Sequence, residues 1–268
     1  MPELPDLEVF KGNIFKKLSS KKLVDVTVYN HQKVTRPQEC LNDELKGKEL
    51  VAINRFGKEL LFDFADGKII AAHLMLSGKI AIVQAKLVPG GDAHIANTKF
   101  KIFALNFENE TVVFSDMGGL CTIKYRPPSD GVPDAFGADF TLDYLLNIAG
   151  KKSNVNIKAL LINQKVVKGI GNAYVDEILW HARVSPHSVV GRIPADVMTE
   201  LYNAIDTVLK AAIVSIKATA PDIISGEERR FLQVHTKFKK QTETGFPIII
   251  ERIASKTTYY TKEQALYR

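Results

Sequence analysis

The feature that most constrains the fold of this chain is a change of hydrophobic period near its middle. Before residue 125 the apolar residues occur in short alternating runs, which is typical of β-strands with one buried face. Beyond residue 133 they recur at helical spacing. The stretch between them, Tyr125–Pro133, contains three prolines and a glycine and has the composition of a linker. The sequence therefore predicts two parts of different structural class.

The first part begins with a helical pattern over Leu7–Leu18, followed by strand-like runs separated by turn signals such as Ser77-Gly78 and Pro89–Gly91. Many short strands with regular turns favour an antiparallel sandwich or barrel. The strand-like runs are Leu23–Val28, Leu50–Ile53, Leu60–Phe64, Ile69–Leu76, Ile80–Val83, Phe100–Phe107 and Val112–Phe114.

The second part is predicted to be helical and to end in a basic β-hairpin. The helical runs are Leu142–Ile148, Val155–Ile162, Asn172–His181 and Ala195–Lys217, and the hairpin strands are Phe246–Ile250 and Thr257–Tyr260. We expect four segments: residues 1–125 as an N-terminal β-sandwich domain, 126–137 as a linker, 138–234 as a helical domain, and 235–268 as the hairpin.

Composition limits the classes of function. Apolar residues make up 46% of the chain, enough to form real cores, and no apolar run approaches the ~18 residues of a membrane span. The start lacks the layout of a signal peptide. The net charge of +6 permits nucleic-acid binding without demanding it. The two cysteines, Cys40 and Cys121, are too few for a Cys₄ zinc site, so we expect reduced thiols and no metal or other cofactor.

The first eight residues, Met1–Glu8, contain two prolines and three acids. If Met1 is removed, Pro2 carries a free secondary amine that can attack a carbon centre and form an iminium, with Glu3 beside it to move protons. Alternatively, the prolines stiffen a helix entry and the acids complement the helix dipole. The residues alone leave both interpretations open.

The start MPELPDLE resembles the MPELPEVE start of the formamidopyrimidine-DNA glycosylase/endonuclease VIII family. The resemblance implies a β-sandwich with a leading helix, then a helix–two-turn–helix domain with a β-hairpin finger: a multi-domain α+β fold. It also implies that Pro2 attacks C1′ of a damaged nucleotide and that Glu3 assists opening of the sugar ring.

Two further segments of the first part resemble motifs of this family. Arg55–Phe62 resembles RxGKYLLF, whose lysine contacts DNA phosphate near the reaction centre, and Lys58 matches that lysine. His73–Gly78 resembles HLGMSG, whose methionine fills the gap left by an extruded base, and Leu76 takes its place. Without the resemblance, Lys58 is an exposed lysine at a strand start and Leu76 an ordinary hairpin residue.

The strongest internal match lies in the helical part. Residues 162–179 resemble the helix–two-turn–helix of the family, and Lys168–Asn172 forms a glycine turn that leads into a helix N-terminus, a geometry suited to phosphate. The alternative is a plain helix–helix turn with glycine as a C-cap. The resemblance implies that Asn172 binds DNA.

The C-terminal hairpin matches the family in shape and departs from it in chemistry. Ala254–Thr261 resembles GRxTYYC, which closes a zinc finger, and Lys256 replaces the arginine that grips phosphate. The four positions at which the family has cysteines hold Gln241, Thr244, Thr261 and Gln264. We therefore expect a zincless finger.

Two other departures from the family pattern concern recognition of the damaged base and of the base opposite it. Gly119 and Leu120 stand where family members often carry an arginine and a phenylalanine wedged opposite the lesion. Pro221–Arg230 is short for a loop that covers an extruded purine. The identity of the excised base therefore does not follow from the resemblance.

Together these motifs predict a DNA repair enzyme: a DNA glycosylase with abasic-site lyase activity that acts through a Pro2 Schiff base. Its catalytic residues would be Pro2, Glu3 and Lys58, and its DNA-binding residues Leu76, Asn172 and Lys256. The expected partner is double-stranded DNA with damaged bases or abasic sites, bound by a monomer without a membrane, in the cytoplasm at bacterial nucleoid DNA. The alternative is a homologue that binds damaged DNA and no longer cuts it efficiently.

Overall fold

The computed structural model describes residues 1–84 and 98–268, so the expected turn at Pro89–Gly91 lies outside the described residues. The chain divides into two compact units. The β unit comprises residues 1–2, 6–129 and 220–227. The helical unit comprises residues 3–5, 130–219 and 228–268.

The β unit contains two four-stranded antiparallel sheets, with strand orders β1-β6-β7-β5 and β2-β3-β4-β8. Its elements are α1 (Leu4–Leu18, whose first two residues belong to the helical unit), β1 (Leu23–Val28), α2 (Gln38–Leu45), β2 (Leu50–Phe56), β3 (Glu59–Phe64), β4 (Lys68–His73), β5 (Lys79–Gln84), β6 (Lys101–Phe107), β7 (Glu110–Ser115) and β8 (Thr122–Tyr125). The sequence-based fold class of this part is confirmed.

The core of the β unit lies between the two sheets and under α1. Strand β3 buries every second residue, because successive side chains of a strand point to opposite faces. Phe62 of β3 meets Phe114 of β7 edge to face, with ring centroids 5.7 Å apart. Leu7, Phe10 and other apolar residues of α1 are fully buried in the same cluster.

Helix α2 was not among the sequence-based predictions. It has eight residues and buries two of them, Leu41 and Leu45, so its periodic signal is weak. Its polar side chains bind the backbone of β1: the N–H of Val26 donates to Asn42 Oδ1 at 2.7 Å, and the N–H of Val28 donates to Gln38 Oε1 at 2.8 Å. The helix therefore covers part of an edge strand, which protects that edge from other chains.

The helical unit contains α3 (Leu142–Lys151), α4 (Ile157–Leu161), α5 (Asn172–His181), α6 (Ala195–Thr219) and a hairpin of β9 (Ile249–Ile253) and β10 (Lys256–Tyr260). Helix α4 is shorter than the predicted run from Val155 to Ile162, because Asn156 caps its first turn by accepting the N–H of Ala159 at 3.1 Å. Helix α5 has the predicted bounds.

The hairpin begins later than predicted. The sequence placed its first strand at Phe246–Ile250, whereas β9 begins at Ile249. The preceding residues form a tight turn in which the N–H of Thr242 donates to the carbonyl of Phe246 at 3.0 Å and the N–H of Gly245 donates to the carbonyl of Thr242. Phe246 therefore belongs to this turn and not to the strand.

Candidate nucleic-acid interface and catalytic residues

Three turns of the β unit lie at the same end of the sheet β2-β3-β4-β8. Glu59 at the start of β3 pairs with His73 at the end of β4, and His73 pairs with Thr122 at the start of β8. The turn that carries Lys58, the turn that carries Leu76 and the loop before β8 therefore share one edge of the unit. The structure thus brings two of the predicted site residues, Lys58 and Leu76, to the same end of one sheet.

The buried side chain of Arg55 holds in place the turn that carries Lys58. Arg55 donates through Nε to Glu8 Oε1 of α1 at 2.7 Å and through Nη1 to the carbonyl of Gly57 at 3.0 Å. Gly57 has φ +58°, which favours glycine. Lys58 is only 8% exposed. The interpretation of Lys58 as an ordinary exposed lysine is therefore wrong.

The Leu76 turn is closed by a backbone hydrogen bond from Gly78 to the carbonyl of Leu74 at 2.9 Å. A Cβ on Gly78 would lie 2.2 Å from that carbonyl oxygen, so only glycine fits there. His73 Nδ1 accepts the N–H of Met75 at 3.0 Å, and burial lowers the pKa of the imidazole. Leu76 itself is 67% exposed at the tip, as an apolar wedge requires.

The loop before β8 is organised by one buried carboxylate. Asp116 accepts a hydrogen bond from the hydroxyl of Ser77 in the neighbouring turn, and it also accepts the N–H groups of Gly118, Leu120 and Cys121. Burial opposes its ionisation, but these hydrogen bonds prevail and hold the pKa of Asp116 below its usual value. The loop therefore keeps a fixed shape although it contains two glycines.

The chain start belongs to two units. Met1 and Pro2 are part of the β unit, and Pro2 is buried. Glu3 is part of the helical unit and is also buried.

Glu3 is held at the N-terminus of α5. Its carboxylate accepts the N–H of Ala173 at 3.0 Å and that of Tyr174 at 3.4 Å, two of the donors that have no partner within a helix. A Cβ on Gly171 would lie 2.2 Å from Glu3 Cδ, so the glycine is needed to admit this carboxylate. The glycine turn thus receives an acidic side chain of the same chain.

Asn172 binds the hairpin beside Lys256. Asn172 Nδ2 donates to the carbonyl of Thr257, the residue after Lys256, at 2.8 Å. The amide NH₂ carries two donors, so this bond leaves one N–H for another acceptor. Asn172 Oδ1 is buried and makes no hydrogen bond among the described residues. Within the helical unit, the structure therefore brings Glu3, Asn172 and the carbonyl of Thr257, the neighbour of Lys256, to the N-terminus of α5.

A buried polar cluster under this region was not recognised from the sequence. Lys158 Nζ lies 2.7 Å from Asp176 Oδ1 and donates to Thr258 Oγ1 at 2.6 Å. Asp176 Oδ2 accepts the N–H of Tyr259 at 3.0 Å and lies 2.7 Å from His235 Nδ1. Burial lowers the pKa of Lys158, while Asp176 favours its charged form. The cluster fastens β10 to α4 and α5.

At the four positions where the resemblance leads us to expect cysteines, the side chains of Gln264 and Thr244 bind protein atoms, whereas Thr261 Oγ1 is buried and makes no hydrogen bond among the described residues. Gln264 accepts the N–H of Thr261 at 2.8 Å and donates to the carbonyl of Val184 at 2.9 Å. Thr244 donates to Glu263 at 2.7 Å. Gln241 forms an isolated bridge with Pro247. Across residues 1–84 and 98–268, no group of three or more His, Cys, Asp or Glu residues could hold a metal ion.

Comparison with protein-family models identifies both parts of the chain. The formamidopyrimidine-DNA glycosylase N-terminal domain matches residues 1–123, and the formamidopyrimidine-DNA glycosylase H2TH domain matches residues 132–222. Fold and motifs thus define a DNA repair glycosylase architecture with an H2TH domain.

Known proteins agree with this assignment. The formamidopyrimidine-DNA glycosylase of Carboxydothermus hydrogenoformans is 31% identical over 267 residues, which cover 97% of this chain and 98% of the relative. That of Lactobacillus helveticus is 30% identical over 224 residues, which cover 80% and 78%. The chain belongs to the formamidopyrimidine-DNA glycosylase family.

Solved structures support the fold over almost the whole length. Wild-type Lactococcus lactis Fpg (MutM) in complex with DNA containing N7-benzyl-Fapy-dG is 25% identical, with a TM-score of 0.81 and 97% of both chains covered. The same enzyme in complex with DNA containing an abasic site gives a TM-score of 0.82 at 24% identity, covering 97% and 98%. No helix in the described part of this chain is long and apolar enough to cross a membrane.

Proposed function

We propose that this protein is a DNA glycosylase with abasic-site lyase activity, and that Pro2 is its nucleophile once Met1 has been removed. The observation that carries the proposal is the position of Glu3. Its carboxylate is fixed by two backbone N–H groups of α5, in a place that only the glycine at 171 leaves open. Glu3 follows Pro2 directly in sequence, so the terminal amine has an ordered carboxyl one peptide away.

The reaction follows from the chemistry of a secondary amine. Pro2 attacks C1′ of a flipped nucleotide, the bond between C1′ and the base breaks, and the base leaves with a proton. As the sugar ring opens, Glu3 passes a proton to O4′ and the amine becomes an iminium. Loss of a proton from C2′ then expels the 3′ phosphate by elimination.

Three polar side chains are proposed to bind the DNA backbone. Lys58 presents a restricted ammonium in its rigid turn, and Asn172 retains one amide N–H beside the N-terminus of α5. Lys256 lies at the exposed start of β10. Leu76 is proposed as the wedge that fills the gap left by the flipped base, because it is exposed on a turn of fixed shape.

We further propose that the hairpin folds without zinc. The side chains of Thr244 and Gln264 bind protein acceptors through hydrogen bonds, and Gln264 is buried. A hydroxyl or amide engaged in this way is a poor ligand for Zn²⁺, which prefers thiolate and imidazole.

Borohydride trapping on DNA with an abasic site tests the proposal. The protein lacking Met1 should form a stable covalent adduct, whereas a residue added before Pro2 converts its amine to an amide and should abolish the adduct. Pro2→Gly keeps a primary amine and should retain part of the trapping. An adduct from the extended protein would show that Pro2 is not the nucleophile.

A second candidate function is the recognition of damaged DNA without efficient cutting. The loop held by Asp116 favours it, since it presents Gly119 and Leu120 where the resemblance leads us to expect an arginine and a phenylalanine wedged opposite the lesion. Binding of abasic-site DNA that weakens with salt, combined with no trapping at any pH, would support this candidate over the lyase.

A further inference from the structure

The segment 220–227 follows α6 in the chain and is attached to the β unit at several points. Asn13 of α1 donates through Nδ2 to the carbonyls of Pro221 and Ile223, both at 2.8 Å. Ser225 Oγ accepts the N–H of Ile80 at 3.1 Å. Ile223 and Ile224 pack against the core of the sandwich. We call residues 220–227 the strap, because these contacts fix its path across the β unit.

The strap places one carboxylate at the chain start. Glu227 forms an ion pair with the terminal amine of Met1, 226 residues away in sequence. Only Gly226, with φ +88°, separates Glu227 from the anchored Ser225. The position of Glu227 is therefore set by the anchors of the strap as well as by its attraction to the amine.

We infer that Glu227 is a positioning residue for the terminal amine of Pro2, an inference that rests on the proposed role of Pro2 as nucleophile. Removal of Met1 moves the terminal nitrogen by one residue, or about 3.8 Å between Cα atoms. The three rotatable bonds of a glutamate side chain can follow such a movement. Glu227 then orients the amine for attack and favours its protonated form, as a neighbouring anion does.

The strap thereby acquires a role in the reaction that needs no contact with the damaged base. It contributes to the amine a carboxylate whose backbone is anchored within the β unit. Glu3 differs from it, because Glu3 belongs to the helical unit and is held by α5. Glu227 acts through the amine and Glu3 through the sugar.

The matched pair of variants is Glu227→Gln and Asp222→Asn. Both remove one exposed carboxylate from the strap, but only Glu227 pairs with the terminal amine, and Asp222 lies five residues before it. Loss of Met1 is verified by mass for each protein. The rate of borohydride trapping on abasic-site DNA is then measured from pH 5 to pH 9 at low and high salt.

Glu227→Gln should move the acid limb of the rate profile to lower pH by about 0.3 to 0.7 unit, since the amine has lost its anion. It should also lower the plateau rate about threefold to tenfold, because orientation is lost. High salt should shrink the difference in midpoint. Asp222→Asn should match the wild type in both midpoint and plateau.

The inference is overturned if the wild type traps and the Glu227→Gln variant has the same dependence of trapping rate on pH. That outcome leaves the proposed function intact. If no protein traps, the proposed function fails and the amine is examined directly. Its acylation rate at each pH, followed by mass spectrometry, reports its protonation without any lyase step. A midpoint shift in Glu227→Gln then supports the ion pair, and an unchanged midpoint refutes it.

Discussion

The Nζ of Lys158 lies 2.7 Å from Oδ1 of Asp176, and both side chains are fully buried in the helical unit. The pair joins two helices, and its remaining hydrogen bonds reach Thr258 and the N–H of Tyr259 on β10. The hairpin that carries Lys256 is therefore attached to the helices through a buried charge pair.

Lys158→Met should lower the free energy of unfolding by about 3–5 kcal/mol, because it leaves the Asp176 carboxylate buried without its cation. The double variant Lys158→Met with Asp176→Leu should recover part of that loss, since both charges are then gone while the buried N–H of Tyr259 loses its acceptor. Urea unfolding of the two variants and the wild type measures this. A double variant less stable than the single one would contradict this prediction and would mean that the bonds of Asp176 to Tyr259 and His235 outweigh the cost of its buried charge.

Gly171→Ala tests the position of Glu3. The added methyl group would lie 2.2 Å from Glu3 Cδ, so the carboxylate must leave the N-terminus of α5. We expect trapping on abasic-site DNA to fall at least tenfold, or by ~1.4 kcal/mol in the barrier.

Gly150→Ala is the control for this substitution. Gly150 lies in α3, and no atom lies within 4 Å of a Cβ added there. Alanine at this position should therefore raise the free energy of unfolding by at most about 1 kcal/mol and leave trapping unchanged. Equal trapping by Gly171→Ala and the wild type would show that the reaction does not depend on the position of the Glu3 carboxylate.

The turn that carries Leu76 should weaken in acid. Burial lowers the pKa of His73 below its ordinary value of 6.5, so the folded protein binds its proton less readily than the unfolded chain. The contribution of neutral His73 to stability is then fully present above about pH 6.5 and is lost as the pH falls through the folded-state pKa. Protonation of Nδ1 also removes the acceptor of the Met75 N–H.

Thermal melting from pH 7.5 to pH 5.5 measures this effect against His73→Asn, whose Oδ1 stands where Nδ1 stood, accepts the same N–H and does not titrate. The melting temperature of the wild type should fall more steeply with acid than that of the variant. Parallel curves would show that His73 does not titrate in this range.

The sequence was most informative where the signal is local. Helix α5 has the predicted bounds because its apolar spacing and the glycine at its start lie within ten neighbouring residues. The fold class followed from the change of period and from the ordered motifs. Helix α2 was missed because two buried leucines in eight residues give no clear period.

What the sequence could not predict are pairs of distant residues. From the sequence, Lys158 would be assigned to the surface. Its burial becomes evident only from its hydrogen bond to Thr258, 100 residues later. Glu227 likewise lies in an unremarkable acidic stretch, and its ion pair with the chain start depends on anchors at Asn13 and Ile80. Such contacts require the folded backbone.

Removal of zinc should leave stability unchanged. Treatment with a chelator should not shift the melting temperature, since the hydrogen bonds of Gln264 to Thr261 and Val184 are proposed to replace the metal in holding this segment. Gln264→Ala should instead cost about 1–3 kcal/mol, because it leaves the carbonyl of Val184 and the N–H of Thr261 without these partners. A melting temperature that drops with chelator, or stoichiometric zinc by elemental analysis, would contradict the zincless proposal.

The last prediction separates phosphate contacts from the reading of bases. Phosphate contacts position DNA and carry no sequence information. Lys256→Ala should weaken binding of abasic-site DNA equally for all four opposite bases and lower the slope of log K against log salt by roughly 0.9. Lys58→Ala should do the same and also slow trapping, because its rigid turn is proposed to hold the phosphate next to the reacting sugar.

Lys210→Ala is the control for Lys256→Ala and Lys58→Ala, because it also removes one positive charge. Lys210 is exposed on α6 and pairs with Asp206 one turn earlier. Its salt slope should equal that of the wild type. The loop held by Asp116 is proposed to face the opposite strand with Gly119 and Leu120, so no opposite base should be preferred by more than roughly tenfold, or ~1.4 kcal/mol. A larger preference would mean that another residue reads that strand, and Met117, which is 77% exposed on the same loop, would be the first to substitute.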